Sequence, residues 1–382
     1  MKNKLIYFLL ILLGILITPA CWDTKDINNR AYVSSIAIDE AAGATLGQEN
    51  IPFRYKVTAE IIKPALLKDF SWKLQPEKSA SIILTAEGET IERAFDVLQT
   101  TISRPLTLSH LQVLLVGERM ADDIKKICSY FEKHPEVARR LRLIFVREQE
   151  ALAILKTDPK LESYIAEELV GMTEISKNIA SSTFKPFTQY LSEMRTNNGQ
   201  ALGAAANLFN NETLVRTGSA IFNDWKLVGW LDGEETRKAS LLFPGNLENT
   251  FVGEYNQGIF TYKVDKKNSK IIPEVQNGNL SFKFRLKTDG IILQEEGNQL
   301  FLAEPKNIDK LEILFAKVIA GDVDEAIRKA QIIYKVDYFN FGMKLKNKDS
   351  DYFESLDWQE TFPTVPIETD IEVKISRFGI AK

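Results

Sequence analysis

The stretch FRYKVTAEI, residues 53–61, determines the fold class, because its apolar and polar side chains alternate without a break. Successive side chains point to opposite faces of a β-strand, so the apolar set shares one face and the polar set the other. The apolar set is Phe53, Tyr55, Val57, Ala59 and Ile61, and the polar set is Arg54, Lys56, Thr58 and Glu60. The pattern predicts a half-buried strand that pairs with the apolar run Ala31–Ile38.

The elements that follow alternate between strand and helix. Apolar side chains at helical spacing between Ile91 and Ile102, and again between Ala121 and Lys133, indicate two amphipathic helices. The predicted strands around them are Ser81–Ala86, Leu111–Val116 and Leu141–Val146. A helical stretch from about Leu161 to Arg195 ends this half of the chain, and the polar segment Thr196–Gly199 is predicted to be a linker.

The second half of the chain is rich in predicted hairpins. Two of its predicted strands, Leu214–Phe222 and Lys226–Leu231, flank Asn223-Asp224 and are predicted to form a hairpin. The other predicted strands are Gly258–Val264, Leu280–Leu286, Ile291–Gln294 and Ile367–Ser376. One predicted helix carries an apolar stripe that includes Ile308 and Phe315, and Asp322 is the predicted N-cap of the next helix. These patterns predict an α+β (mixed α/β) fold with two to three domains, each a mostly antiparallel or mixed sheet flanked by helices.

Length and composition exclude several classes of protein. The chain has 382 residues, of which 45% are hydrophobic and 26% charged, as in globular proteins and unlike disordered or coiled-coil chains. A chain of this length is expected to form two or three domains. Its net charge of −4 and its pI of about 5.6 disfavour polyanions, so nucleic acid is not a predicted partner.

The N-terminal sequence predicts the cellular compartment of the protein. Lys2 and Lys4 precede the apolar run Leu5–Ile17, and a small residue, Ala20, directly precedes Cys21. This layout predicts a signal peptide over residues 1–20, because a membrane-spanning helix needs about 20 apolar residues. An uncleaved membrane anchor is the alternative. The junction also resembles the lipobox of bacterial lipoproteins, which implies that the Cys21 thiol carries a diacylglyceryl group and that the remaining chain lies outside the cytoplasm.

The sequence contains no recognisable catalytic, cofactor-binding or metal-binding motif. The two histidines, His110 and His134, belong to no metal-binding pattern and are predicted to be structural. Cys128 lies among helical apolar residues and is predicted to be a small buried side chain. An enzyme is therefore disfavoured. The apolar segment between Ile62 and Ser79 is predicted to pack on its own sheet, with a partner or the membrane surface as the alternative contact.

Several short sequences resemble the Ger(x)C family of spore germination lipoproteins. In the first half they are Cys21-Trp22-Asp23, Ile27-Asn28, Glu92-Arg93-Ala94, Arg104-Pro105-Leu106, Ser109-His110-Leu111 and Gly117-Glu118. In the second half they are Gly218–Phe222, Leu227–Leu231, Glu235-Thr236-Arg237, Asp337, Phe341-Gly342, Trp358, Phe362-Pro363 and Gly379-Ile380. The resemblance covers nearly the whole chain. It divides the mature protein into an N-terminal domain, residues 21–196, and a C-terminal domain, residues 200–382, with a further division near residue 300 as an alternative.

The resemblance implies the lipoprotein C subunit of a nutrient germinant receptor. Such a subunit would be held by acylated Cys21 on the outer face of the spore inner membrane, beside two polytopic membrane subunits. It would act as a non-catalytic interaction component without cofactors, and direct binding of a nutrient by this subunit stays open. The rival interpretation is an extracytoplasmic solute-binding lipoprotein, which would need two doubly wound lobes. A membrane-tethered enzyme is the third.

Overall fold

The strands form two sheets in the part of the chain that the computed structural model describes, residues 29–43, 52–63, 80–176, 183–210, 213–215, 218–245, 248–297 and 305–378. The strands of the first sheet are β1 (Ala31–Glu40), β2 (Tyr55–Ile62), β3 (Ser81–Gly88), β4 (Leu106–Thr107), β5 (Val113–Gly117), β6 (Arg142–Val146), β7 (Ala201–Phe209), β8 (Thr213–Val215), β9 (Ser219–Asn223) and β10 (Lys226–Leu231). Their order is β10-β9-β7-β6-β5-β1-β2-β3, with β4 beside β1 and β8 beside β7. The central strands β1, β5, β6 and β7 are parallel, and antiparallel strands flank them on both sides.

Helices cover both faces of the first sheet. They are α1 (Ile91–Thr100), α2 (Ile124–Lys133), α3 (Ala151–Leu155), α4 (Ile165–Ser176) and α5 (Phe187–Thr196). A 3-10 turn, Glu118–Asp123, leads into α2. Helices α1, α2 and α5 bury their apolar stripes against one face of the sheet, and α3 and α4 pack on the other. The first unit is therefore a three-layer α/β/α sandwich.

The second sheet has the order β11-β12-β13-β14. Its strands are β11 (Asn249–Tyr255), β12 (Gly258–Gln276), β13 (Asn279–Glu296) and β14 (Ile367–Phe378). The associated helices are α6 (Gly233–Ser240), α7 (Pro305–Arg328), α8 (Phe341–Lys348), α9 (Ser350–Glu354) and α10 (Trp358–Thr361). Helix α7 packs along this sheet and continues as a π-helix over Lys329–Tyr334. Among the helices of the described ranges, none is long and apolar enough to span a membrane.

Local sequence explains several element boundaries. Helix α6 begins with a capping box, in which Glu235 N–H donates to Asp232 Oδ1 at 2.7 Å and Asp232 N–H donates to Glu235 Oε2 at 2.9 Å. The β9–β10 hairpin turns through Asp224 and Trp225, whose φ angles of 46° and 61° are those of a type I′ turn. The predicted hairpin at Asn223-Asp224 is confirmed.

The predicted mixed fold with helix-flanked sheets is confirmed, as are the final strand and the pairing of β1 with β2, which the structure shows to be antiparallel. The prediction that the strand at 53–61 is half-buried is wrong for the second half of its polar face, where the start of α4 covers Glu60. Thr58 and Glu60 of that face are 0% and 1% exposed. The prediction that Thr196–Gly199 is a linker is also wrong. The next strand, β7, joins the same sheet, so this segment is a turn within the first unit, which extends to Leu231.

Two further predictions in the second half are wrong. Leu280–Leu286 and Ile291–Gln294 are parts of one strand, β13, because the polar stretch between them pairs with β12 through a bulge. Asp322 caps no helix and lies inside α7, where its carboxylate accepts a hydrogen bond from Arg237 at 2.7 Å. Cys21, most of the apolar segment after Ile62 and the alternative division near residue 300 lie outside the described residues.

Candidate functional site

The two units meet where edge strand β10 contacts the π-helical end of α7. At Gly229 a Cβ atom would lie 2.3 Å from Cε1 of Tyr334, so only glycine lets the ring pack against the strand. The Tyr334 hydroxyl donates to the Trp230 carbonyl oxygen at 2.7 Å. The glycine–aromatic sequence that resembles the germination family is therefore a packing position.

The indole of Trp230 on β10 contacts other residues of the first unit. Its Nε1–H donates to Glu118 Oε1 at 2.8 Å, and the Arg147 guanidinium carbon lies 6.0 Å from its ring centroid. This cation–π distance and the charge-assisted hydrogen bond hold the side chain from two directions. Trp230 thus connects the two units: its side chain contacts Glu118 and Arg147 of the first unit, and its carbonyl oxygen contacts Tyr334 of the second.

Ion pairs between α6 and α7 support the junction. Arg237 Nη2 lies 2.7 Å from Asp322 Oδ2, and the ammonium groups of Lys238 and Lys329 pair with Glu325 and Glu235. The Arg237 and Asp322 side chains are only 20% and 16% exposed, so water screens this pair less than a surface pair. Helix α6, which follows β10 directly, is thereby held on the helix of the second sheet.

Asp337 organises the turn before α8. Its carboxylate accepts hydrogen bonds from the N–H groups of Phe341 at 3.0 Å and Gly342 at 2.7 Å and from Trp358 Nε1 at 3.0 Å. Its carbonyl oxygen accepts a hydrogen bond at 3.0 Å from Asn197, which lies in the first unit. Burial raises the pKa of Asp337 to about 6, although these three donors favour the charged form.

Glu60 was predicted to lie on the polar face of its strand, yet its carboxylate is buried and accepts five hydrogen bonds. It accepts hydrogen bonds from Ser35 Oγ at 2.9 Å, Ser34 Oγ at 2.8 Å, Ser81 Oγ at 3.1 Å, Ile165 N–H at 2.8 Å and Ala166 N–H at 3.0 Å. Two of these donors are the first free N–H groups of α4, so the carboxylate caps that helix from a neighbouring strand. The serines on the adjacent strands were the sequence signal for this network.

Asp39 caps the start of α3 in the same way. Its two carboxylate oxygens accept hydrogen bonds from the N–H groups of Ala151 at 2.7 Å and Leu152 at 2.9 Å. Burial raises the pKa of Asp39, and the two backbone hydrogen bonds oppose that shift. Both buried carboxylates of the first unit therefore have a structural role that sequence reasoning missed, because their donors lie far away along the chain.

The histidines and the buried cysteine have contacts of the predicted structural kind. His110 Nδ1 lies 3.1 Å from Ser109 Oγ and its ring centroid 4.6 Å from that of Tyr32, while His134 Nδ1 accepts the Glu136 N–H at 3.3 Å. Cys128 is 1% exposed, and burial raises the pKa of its thiol. In the described ranges, no group of three or more His, Cys, Asp or Glu side chains is arranged to hold a metal ion.

A cleft of about 550 Å³ lies between α2, α5 and the β9–β10 turn. Its walls include Cys128, Leu191, Met194 and Trp225, and the Lys125 ammonium group lies 5.7 Å from the Trp225 ring centroid. Apolar walls interspersed with polar and charged side chains suit a small polar organic molecule or a side chain of another protein. The cleft brings together none of the residues that sequence analysis singled out for function, apart from buried Cys128.

The fold and these sites define a mixed α/β protein of two interlocked units, in which the buried carboxylates of Asp39, Glu60 and Asp337 cap two helices and a turn. Family models match almost the entire chain: residues 23–202 match the spore germination protein N-terminal domain, and residues 217–379 match the C-terminal domain of spore germination B3/GerAC-like proteins. The chain belongs to this family of spore germinant receptor C subunits.

Relatives and a solved structure agree along the full length. Spore germination protein B3 of Bacillus subtilis (strain 168) is 25% identical, with 99% of this chain and 98% of that protein aligned. Spore germination protein KC of the same organism is 21% identical, with 100% of this chain and 97% of that protein aligned. The crystal structure of the GerBC protein superposes with a TM-score of 0.60 at 21% identity, covering 92% of this chain and 100% of that one, and shows the same fold.

Proposed function

We propose that this chain is the membrane-anchored lipoprotein subunit of a spore nutrient germinant receptor, held by acylated Cys21 on the outer face of the spore inner membrane. The observation that carries the proposal is the match of the family's N-terminal domain from residue 23, directly after the Ala20-Cys21 junction. A diacylated cysteine supplies the two acyl chains that stable anchoring requires, at about 0.8 kcal/mol for each buried methylene.

In this proposal the folded units bind partners and carry out no chemistry. The buried carboxylates Glu60, Asp39 and Asp337 are all committed to backbone or side-chain donors, so their role is to hold the two units in one arrangement. The proposed partners are the two polytopic membrane subunits of the receptor. A rigid body tethered beside them gains effective concentration from its anchor, which strengthens weak contacts without additional interface.

The test is metabolic labelling with an alkyne fatty acid, followed by fractionation of membranes. Wild type and Cys128→Ala, the matched control at the other cysteine, are expected to incorporate the label and to stay in carbonate-washed membranes. Cys21→Ala is expected to fold but to incorporate none, because position 21 precedes the first strand. An unlabelled wild type, or a labelled Cys21→Ala protein, contradicts the anchor.

The solute-binding interpretation rests on the cleft beside Trp225. It is disfavoured, because the second sheet consists mainly of long antiparallel strands and is no doubly wound lobe. Isothermal titration of the full-length protein against pools of amino acids and sugars separates the two functions. Stoichiometric binding of a nutrient in the micromolar range would favour the solute-binding function, and flat titrations are expected for a partner-binding subunit.

A further inference from the structure

The end of the first sheet at which β1 begins is strongly basic. Residues 29–30, the loop 101–112 and the segment 133–142 come together there. Ala31 N–H donates to the Pro105 carbonyl at 2.9 Å, and Glu136 accepts hydrogen bonds from the Thr107 hydroxyl at 2.9 Å and the Leu108 N–H at 2.8 Å. We call these three segments the basic end.

Positive charge is concentrated at the basic end, although the chain as a whole carries −4. Its charged residues are Arg30, Arg104, Lys133, Glu136, Arg139, Arg140 and Arg142. Arg30 faces Glu136 at 3.9 Å, and Arg142 pairs with Glu174 at 2.7 Å. The side chains of Arg104, Lys133, Arg139 and Arg140 are exposed and form no ion pair with any residue in the described part of the chain. Four exposed cations without an ion-pair partner in the described ranges therefore lie at this end of an acidic protein, with Lys133 also attracted by the neighbouring Glu132 carboxylate.

An exposed leucine lies at the same end of the sheet. Leu161 is 84% exposed, the largest value among the large hydrophobic side chains of the described ranges. The carbonyl of nearby Ser163 accepts the Ala80 N–H at 3.2 Å, and Ser81 pairs with Ile62 where β2 ends beside the start of β1. The Glu168 carboxylate lies next to it and accepts the Leu161 and Glu162 N–H groups at 3.2 and 3.3 Å. An exposed apolar side chain at the same end of a sheet as a set of cations is the combination that favours the boundary between lipid headgroups and acyl chains.

The first described residue of the chain also lies at this end of the sheet. Asn29 is the first described residue, and eight peptide units connect it to Cys21. Even fully extended, they span only about 30 Å. Because Cys21 would be held in the bilayer under the proposed function, the start of β1 cannot lie far from the membrane surface. The opposite end of β1 lies about 30 Å further along the strand.

We propose that the basic end docks on anionic lipid headgroups of the membrane that holds the anchor. Arg104, Arg139, Arg140 and Lys133 face the lipid phosphates, and Leu161 reaches the acyl boundary. The docking orients the two units on the membrane and rests on the proposed anchoring at Cys21. Basic clusters beside a membrane attachment gain affinity from the negative surface potential of such a bilayer, and salt weakens that attraction.

The test uses the full-length acylated protein in vesicles, with one introduced cysteine carrying a fluorophore. Acylation of Cys21 and burial of Cys128 leave the introduced thiol as the reactive one. Ser103→Cys labels the basic end, and Ala42→Cys, just after β1, labels the opposite end of the same strand as a matched control. A nitroxide quencher on the lipid headgroup reports proximity. The vesicles contain phosphatidylcholine alone or with about 30% phosphatidylglycerol.

In anionic vesicles the Ser103→Cys label is expected to be quenched strongly and the Ala42→Cys label weakly. The difference is expected to disappear in neutral vesicles and in about 0.5 M salt. Arg139→Glu/Arg140→Glu is expected to lower the ratio of docked to undocked protein at least about tenfold. Lys317→Glu/Arg328→Glu on α7, which makes the same change in charge, is expected to leave that ratio unchanged.

Equal quenching at both positions, or quenching that is independent of anionic lipid, overturns the docking while the anchor stands. Quenching that appears only when the polytopic subunits are present assigns the basic end to a protein partner and also overturns it. A protein that sediments with neither kind of vesicle overturns the anchoring and the docking together, so the two failures are distinguishable.

Discussion

The close contact of Gly229 with Tyr334 makes the junction between the two units sensitive to a single methyl group. In Gly229→Ala the new Cβ would lie 2.3 Å from Cε1, 3.0 Å from Cδ1 and 3.2 Å from Cζ of Tyr334. The ring must move, and its hydroxyl then loses the 2.7 Å hydrogen bond to the Trp230 carbonyl. Overpacking of this kind costs about 1–3 kcal/mol, and the lost hydrogen bond contributes about 1 kcal/mol of that total.

Urea unfolding followed by tryptophan fluorescence measures this cost as a lower midpoint at an unchanged slope. The matched control is Gly321→Ala in α7, where no atom lies within 4 Å of the new Cβ apart from the adjacent residues and the backbone of the helix itself. That substitution is expected to raise the free energy of unfolding by about 0.5–1 kcal/mol, because alanine favours the helix more than glycine does.

A double-mutant cycle with Tyr334→Ala tests the cause. Without the ring, Gly229→Ala is expected to change the free energy of unfolding by less than about 0.5 kcal/mol, so the coupling energy equals most of the original loss. If Gly229→Ala costs the same with and without the tyrosine, the ring contact is not the reason for glycine at this position.

Three further predictions concern buried groups. Since burial raises the pKa of Asp337 from 3.8 to about 6, the folded state binds this proton more tightly than the unfolded chain, and its contribution to stability falls by about 2 kcal/mol between pH 4 and pH 6. The stability of wild type relative to Asp337→Asn should therefore fall over that range and level off above about pH 7; a rise with pH contradicts this. Glu60→Gln turns an amide N–H toward hydrogen-bond donors and should lower the free energy of unfolding by about 1–3 kcal/mol. The control Glu87→Gln on β3 should change the free energy of unfolding by less than about 0.5 kcal/mol. Equal losses in the two variants contradict a stabilising role for the hydrogen bonds to Glu60. Cys128 should react with alkylating reagents only in urea, and rapid labelling of the native protein contradicts its burial.

Local patterns predicted the elements whose neighbours in space are also neighbours in sequence. Strict alternation located β2, and helical spacing located α1 and α2. The β9–β10 hairpin followed from Asn223-Asp224, because asparagine and aspartate are common in tight turns, and Asp224 is one of the two residues that adopt positive φ there. In these cases the side chains of the segment itself carry the signal.

Long-range contacts explain the failures. Asp322 resembles a helix cap in the sequence, yet Arg237 neutralises it from another helix and α7 continues through it. The polar stretch Lys287–Gly290 resembles a turn, yet β12 and β14 pair with it on either side. Glu60 looks solvated, yet serines of the adjacent strands and the start of α4, more than a hundred residues later, enclose its carboxylate. No periodicity within a single segment contains these partners.

The most direct test of the receptor-subunit account is affinity purification of the C-terminally tagged protein from detergent-solubilised spore membranes. Mass spectrometry identifies its N-terminal peptide and the proteins that copurify with it. The account predicts an acylated Cys21 at the N-terminus and two polytopic membrane proteins in stable association. An acylated protein recovered repeatedly without companions, under conditions that keep other membrane complexes intact, would contradict it.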